Sequence, residues 1–305
     1  MSKRIIAIDV GGTNIKYGFV EDGDVKEANS VLTEANRGPE FVLQKLESII
    51  QKYSPTATSA GLAIAGLVDH RAGIVYSPPN LPGWDAIEVK KILTARTGVN
   101  CFILNDANSY ALGEWIFGGG KGFGNVTAIT LGTGVGGGII AGGKLVLGSV
   151  SFAGEIGHMV IDPSGPPCNC GQRGCWESFL GSGYFTQRAR SFFEREGKPL
   201  ADLTPEAVAL LGKSGDKYAK FLWDEYGYFL GIGLVNLIHL FDPEIIIIGG
   251  GISGAYDLFI DSCLKVLRER VMGFERRKVK ITKALLGDSA SLLGAYYFAL
   301  REGDV

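Results

Sequence analysis

The sequence predicts an α/β protein built in two lobes. Short Ile-, Val- and Leu-rich runs alternate with segments of helical spacing along its 305 residues. Three of its four glycine clusters directly follow such runs. A strand–glycine-turn theme also occurs twice, at residues 8–13 and 130–134, in separate halves of the chain. Two such turns fit two lobes with a cleft between them, and 46% hydrophobic residues are enough for a core in each. The lobe boundary is expected near Ala107-Asn108. That makes residues 1–107 a smaller α/β lobe, completed by the closing helix at 290–305, and residues 108–289 a larger α/β lobe carrying the cysteine cluster.

Ile5, Ile6, Ala7 and Ile8 form a first strand that ends at Asp9 and the turn Gly11-Gly12. Residues 15–20 resume as a second strand, and Glu21-Asp22-Gly23-Asp24 turns into a third. Phe41, Leu43, Leu46, Ile49 and Ile50 recur at helical spacing. Residues 61–65 are a strand running into Gly66, and the prolines of residues 77–84 exclude helix and central strand there. Residues 87–97 look helical, and residues 101–104 form a buried-type strand with Asn105-Asp106 at its carboxyl end. Residues 126–131 form a strand before the longest glycine turn, and residues 139–141 follow as its hairpin partner. Helices then dominate, and Phe221, Tyr228, Ile232, Val235 and His239 mark one face of a long one. Four isoleucines at 245–248 form a strand before Gly249-Gly250-Gly251. A helix from about Ala255, a short strand near 279–281 and a helix at 290–301 close the chain.

Thirty basic residues against 32 acidic ones, with no block of like charge, leave no electrostatic footprint for nucleic acid or an anionic membrane. The run at residues 5–8 is too short for a signal-peptide core or a membrane span. Five cysteines, three of them within eight positions, indicate reduced thiols and a metal site rather than disulfides. A cytoplasmic location is expected.

The segment Asp9-Val10-Gly11-Gly12-Thr13-Asn14-Ile15-Lys16 can cradle phosphate oxygens with its backbone N–H groups, adding the Thr13 hydroxyl and the Lys16 charge. Asp9 could hold Mg2+ directly or through water. The same residues suit a plain β-hairpin turn, and Walker A spacing is absent. Gly132-Thr133-Gly134-Val135-Gly136-Gly137-Gly138 is the stronger signal: five glycines in seven residues cost backbone entropy that an ordinary hairpin does not require, and close approach of a polyphosphate explains them. Gly249-Gly250-Gly251 suits an adenosine, or equally a simple strand-to-helix turn. Asp106 stands at a strand mouth, where α/β proteins collect ligands. It could accept the proton of a substrate hydroxyl attacking a γ-phosphate, or join Asn105 in capping a helix that begins near Asn108. Cys168, Cys170 and Cys175, with His158 ten residues upstream of the first, offer four ligands for a closed, structural, tetrahedral Zn2+ site. Cys101 and Cys263 read as buried small hydrophobes, and nothing chemical is assigned to His70 or His239.

Taken together these residues resemble the ROK family (repressors, open reading frames and kinases), whose kinase members include bacterial glucokinases. The resemblance spans nearly the whole chain. It includes residues 9–16 and 131–138 as two phosphate motifs, Pro79-Asn80-Leu81-Pro82-Gly83-Trp84, Asn105-Asp106-Ala107-Asn108 with Leu112-Gly113-Glu114, Gly154-Glu155-Ile156-Gly157-His158-Met159, and the cysteine cluster. Trp176 stands where many members have Leu, and Gly66 follows Ala65 where Pro often precedes the glycine. The resemblance implies an actin-like, hexokinase-like (ribonuclease H-like) fold whose lobes close on ATP and a sugar, Mg2+ accompanying the ATP. It makes Asp106 the catalytic base, and it gives Asn80, Asn105, Glu155, His158 and Glu177 to the sugar hydroxyls, with His158 also a zinc ligand. Gly11, Gly12, Thr13, Lys16, Gly132, Thr133, Gly134, Gly250 and Gly251 would hold ATP. Zinc would fix the loop presenting Glu155, His158 and Glu177, and a homodimer is implied.

Glucose is the expected acceptor, with N-acetylmannosamine, N-acetylglucosamine, mannose, fructose and allose as alternatives; polyphosphate replaces ATP in some relatives. Repressors of the family carry an N-terminal helix-turn-helix domain, for which a first strand at Ile5 leaves no room. Asp106 together with both phosphate turns argues against a non-catalytic sugar sensor.

Overall fold

The computed structural model describes residues 4–78 and 80–305. Two compact units divide the chain. One takes the chain up to Gly124 together with Gly138–Gly154 and Ala284–Val305; the other takes Asn125–Gly137 and Glu155–Lys283.

The first unit opens with β1 (Arg4–Val10), β2 (Asn14–Glu21), β3 (Asp24–Leu32), α1 (Pro39–Tyr53), β4 (Ser59–Ile64), the hairpin β5 (Leu67–Asp69) and β6 (Ile74–Tyr76), α2 (Val89–Thr97), β7 (Asn100–Asn105) and α3 (Asp106–Ile116). Its sheet has the order β3-β2-β1-β4-β7. β1 and β2 are antiparallel, while β1, β4 and β7 run parallel. β4 is buried at every position, as a strand covered on both faces must be. On one face, Val42, Leu43, Leu46, Ile49 and Ile50 of α1 and Val89 and Leu93 of α2 pack on Ile6, Ile8, Leu62 and Ile103.

The second unit is built from β8 (Val126–Leu131), β9 (Val135–Ala141), whose last residues belong with the first unit, α4 (Glu177–Leu180), α5 (Ser182–Arg195), α6 (Pro205–Lys213), α7 (Lys217–Phe241), β11 (Ile245–Gly249), α8 (Tyr256–Arg270), α9 (Phe274–Arg277) and β12 (Lys280–Lys283). With the two-residue β10 (Lys144–Leu145) these strands give a second sheet in the order β10-β9-β8-β11-β12, in which β8, β11 and β12 are parallel. The closing helix α10 (Ala290–Leu300) returns to the first unit and covers the other face of its sheet, where Leu292, Leu293, Tyr296 and Ala299 meet Ile5, Ala7 and Val20. No helix among the described residues is long and apolar enough to cross a membrane.

Helices α3 and α10 touch backbone to backbone. A Cβ on Gly294 would overlap the Ser109 carbonyl, and one on Gly113 would overlap that of Ala290. Glycine inside a helix costs about 1 kcal/mol relative to alanine, and here the contact requires it. Gly294→Ala is therefore expected to destabilise the chain by about 3 kcal/mol through overpacking. Gly183→Ala in α5, where a Cβ meets nothing within 4 Å, should be neutral or stabilising. Paired denaturant titrations of the two variants check this.

Four expectations shift in detail. The glycine turn is shorter than its sequence suggests, because Val135 to Gly138 already belong to β9. Gly137 and Gly138 leave space for the side chains of Ile156 and Ala111, so the chain's own packing demands them. Helix α2 begins at Val89, since Ile87 is tied to Val75 by a β-bridge. α3 begins at Asp106 rather than near Asn108. On α7 the predicted face divides: Phe221, Tyr228 and His239 are exposed, Ile232 is half-buried and Val235 is buried, and Leu222, Trp223, Tyr226, Leu230, Leu234 and Leu237 are buried beside it.

Candidate active site

In the first unit the candidate residues gather where β1 ends. Asp9 lies opposite Lys16 across the β1–β2 ladder. The turn between them is closed by the chain itself: Gly11 N–H donates to the Asn14 carbonyl (3.0 Å), Thr33 N–H donates to the Thr13 carbonyl (2.8 Å), and Thr33 Oγ1 donates to the Gly11 carbonyl (2.7 Å). Gly12 packs on Asn80, whose Cβ would stand 2.5 Å from a Cβ at position 12. Asn80 is exposed, in a segment anchored by buried Leu81 and Trp84; Pro79 of that motif lies outside the described residues.

Two strands away, β7 delivers Asn105 and Asp106. Asn105 is the N-cap of α3: its Oδ1 accepts the Asn108 N–H (3.0 Å), and its Nδ2 donates to the Gly66 carbonyl (3.0 Å). Asp106 is the first helical residue, and its Oδ1 accepts the Ala107 N–H (2.9 Å). The cap thus falls on Asn105, and one Asp106 oxygen is left for another partner.

The electrostatics are those of carboxyls that resist ionisation. Burial pushes the Asp9 carboxyl up to about 7, the neighbouring Asp106 carboxylate adds to the rise, and Lys16 opposes it. Asp106 is raised as well, again by burial, against the pull of the N–H groups at the start of α3. A carboxyl whose folded pKa exceeds its unfolded value binds its proton more tightly in the folded state, so its contribution to stability is full below the unfolded pKa. That contribution is lost as pH rises toward the folded pKa. In Mg2+-free buffer, Asp9 is therefore expected to cost the chain a few kcal/mol between about pH 4 and pH 7, at about 1.4 kcal/mol per unit. Asp9→Asn should flatten that slope and melt above wild type at pH 8. Equal pH dependence of the two melting curves refutes the assignment.

Three residues of this region were not singled out for chemistry in the sequence. Asp288 takes the Lys16 ammonium (Nζ–Oδ2 2.8 Å) and adds its charge to that felt by Asp9. Tyr110, one turn beyond Asp106 on α3, has a buried hydroxyl without a hydrogen-bond partner among the described residues. Glu114, a further turn along, is fully buried and accepts the N–H groups of Gly119 (3.0 Å), Leu285 (3.3 Å) and Leu286 (2.8 Å). Their spacing 106-110-114 was a visible signal of one helix face. Asp288 gave none, since sequence does not bring it to Lys16.

In the second unit, four ligand atoms of His158, Cys168, Cys170 and Cys175 all lie within 4.8 Å of one another. Cys168 Sγ is 3.8 Å from His158 Nδ1, and Cys170 Sγ is 3.6 Å from Cys175 Sγ. A tetrahedral site with metal–sulfur bonds of about 2.3 Å and metal–nitrogen bonds of about 2.0 Å has ligand–ligand edges of roughly 3.5–3.8 Å. The donor set and its spacing fit a soft-to-borderline divalent ion. Backbone bonds fold the loop around it: Cys168 N–H donates to the Gln172 carbonyl (2.8 Å) and Gly171 N–H to the Cys168 carbonyl (3.0 Å). Tyr184 Oη accepts the Asn169 N–H (2.9 Å).

Glu177 begins α4 beside this cluster. Its Oε2 accepts the Val135 N–H (3.0 Å) and its Oε1 lies 3.9 Å from Cys168 Sγ. Glu155 is exposed at the start of the short turn that leads into His158. Gly250, at φ 83°, lies against the Leu131 backbone where a side chain has no room, whereas Gly251 has open space around it.

Residues 5–302 match the family model described as ROK family. Among curated proteins, a glucokinase of Thermotoga maritima is 33% identical over 304 residues, covering 96% of each chain. A glucokinase of Streptomyces coelicolor is 37% identical over 314 residues, covering 98% of each. The crystal structure of a ROK family glucokinase from Streptomyces griseus in complex with glucose and AMPPNP superposes with a TM-score of 0.85 at 31% identity, covering 98% of this chain and 99% of that one.

Proposed function

We propose that glucose is the acceptor, and Asp106 the base, of this chain, which belongs to the ROK family and is an ATP-dependent sugar kinase of the actin-like, hexokinase-like fold. The observation that carries the assignment is Asp106 itself: a carboxylate at the carboxyl end of a parallel strand, with one oxygen uncommitted, close enough to Asp9 at the glycine turn to raise its pKa. A carboxylate so placed can take the proton of the sugar's O6 as that oxygen attacks the γ-phosphorus in line. Burial raises its basicity toward what the task needs.

The remaining roles follow from donor chemistry. Gly11, Gly12, Thr13, Lys16, Gly132, Thr133 and Gly134 serve the phosphates; Gly250 and Gly251 serve the adenosine. Asp9 would hold the Mg2+ that accompanies ATP, which neutralises charge on the β- and γ-phosphates. Asn80, Asn105, Glu155, His158 and Glu177 contact the sugar hydroxyls. His158 suits two partners, since its Nδ1 faces the thiols and its Nε2 remains for a hydroxyl. His158, Cys168, Cys170 and Cys175 would hold a structural Zn2+, the ion that this ligand set and edge length suit best.

A coupled ADP-release assay over a sugar panel tests the acceptor. Glucose is expected to give the highest kcat/KM with ATP and Mg2+. N-acetylmannosamine or another hexose ahead of glucose refutes the acceptor while sparing the kinase, and no turnover with any sugar refutes both.

A further inference from the structure

The turn at residues 132–135 is held by the segment that carries the metal cluster. Glu177 accepts the Val135 N–H, and its carboxylate fills the space where a Cβ on Gly134 would stand. Gly157, next to His158, lies under the Val135 carbonyl so closely that no side chain fits. Ser182 N–H donates to the Gly132 carbonyl (2.9 Å), and a Cβ on Gly181 would be 2.8 Å from the Thr133 carbonyl. Within the turn, Gly132 N–H donates to the Gly134 carbonyl (3.0 Å). No acceptor among the described residues takes the N–H of Thr133 or of Gly134. The turn is thus fixed around two N–H groups left for a ligand, and its main side-chain support stands 3.9 Å from a cluster thiol.

We propose that Glu177 is a positioning residue for the nucleotide, fixing the Gly132–Val135 turn and making its grip on phosphate depend on the state of the His158, Cys168, Cys170 and Cys175 cluster. This rests on the kinase assignment, and it goes beyond a role for Glu177 at the sugar. Glu177 Oε2 accepts the Val135 N–H at 3.0 Å and fills the space beside Gly134, so this one side chain holds both residues of the turn. A filled cluster fixes the start of α4, and with it the Glu177 carboxylate. An empty cluster no longer ties Cys175, two residues before Glu177, to Cys168 and His158, and frees the Glu177 side chain to leave Val135. The same loop also reaches the turn through α5, because Tyr184 holds the Asn169 amide two residues after Ser182 meets Gly132.

The test is AMP-PNP binding by calorimetry in Mg2+ without sugar, a measurement that a purely sugar-binding Glu177 leaves unchanged. Glu177→Ala is expected to weaken AMP-PNP at least tenfold, and Glu177→Gln, which keeps an acceptor for Val135, by about threefold or less. Removing the metal from wild type with a chelator should reproduce the alanine effect, and chelating Glu177→Ala should add little. If the alanine variant does not fold, amide exchange decides. Chelation of wild type should speed exchange at Val135 well beyond any change at Ile247 in the strand core, and equal protection there overturns the proposal. A wild type that phosphorylates glucose while Glu177→Ala binds AMP-PNP normally overturns this inference alone. A wild type that binds no nucleotide overturns the kinase assignment and this inference with it.

Discussion

Replacing Asp106 by asparagine is expected to lower kcat by about 10²–10⁴-fold, the usual contribution of a general base, while glucose binding changes by less than about threefold. Asparagine keeps the shape of the side chain and an oxygen for the Ala107 N–H, so the start of α3 survives. What it removes is basicity. The variant should also be no less stable than wild type, because a buried carboxyl that resists ionisation is replaced by a neutral amide. Removing its charge relieves Asp9 of its main anionic neighbour, so the Asp9 pKa is expected to fall in the variant. Steady-state kinetics, calorimetric glucose binding and a melting curve separate the outcomes. Lost turnover with intact binding and stability supports the base, whereas a kcat near wild type excludes it. Loss of sugar binding in step with kcat would make Asp106 a sugar ligand rather than the base.

Most of the architecture was legible because its signals are local. Continuous apolar runs such as residues 245–248, and helical spacing such as that of Phe41, Leu43, Leu46, Ile49 and Ile50, mark strands and helices without knowledge of the neighbours. The convergence of His158, Cys168, Cys170 and Cys175 was legible for the same reason, since three cysteines and a histidine within a short stretch need no tertiary information. What escaped depends on contacts far apart in sequence. Glu114 accepts N–H groups some 170 residues away, so nothing nearby reveals that its carboxylate is satisfied. Gly137 and Gly138 look like phosphate-turn residues until Ile156 and Ala111 are found against them. The long helix α7 is rich in apolar residues on more than one side, so periodicity marks a face without telling how much of it is buried: Val235 of the predicted face lies in the core, whereas Phe221 and Tyr228 are exposed. Glu177 is the sharpest case. The family resemblance made it a sugar ligand, and only the fold sets one of its oxygens on Val135.

Removal of the metal should have the second large effect, because the loop around the cluster is otherwise held by turn hydrogen bonds and not by helix or strand. Among the described residues, Cys170 is exposed, Cys168 and Cys175 are buried, and residues 162–174 contain no helix or strand. A structural ion bound at a free concentration of about 100 times its Kd stabilises a chain by about 2.7 kcal/mol. At 2–4 °C per kcal/mol for a chain of this order of size, chelation should lower the melting temperature by roughly 5–10 °C. The purified chain is expected to carry one equivalent of zinc, and Cys175→Ser should lose it and most of the activity. Cys101→Ala and Cys263→Ala change cysteines outside the cluster and should retain the metal. Binding must also displace protons. Burial, followed by the neighbouring thiols, pushes Cys175 up to about 12 in the metal-free cluster, so zinc content should fall as the pH is lowered. Metal analysis of the four proteins with a melting curve for each decides the matter. Full zinc occupancy in Cys175→Ser, or a melting temperature indifferent to chelator, means that the four side chains converge for some reason other than a structural ion.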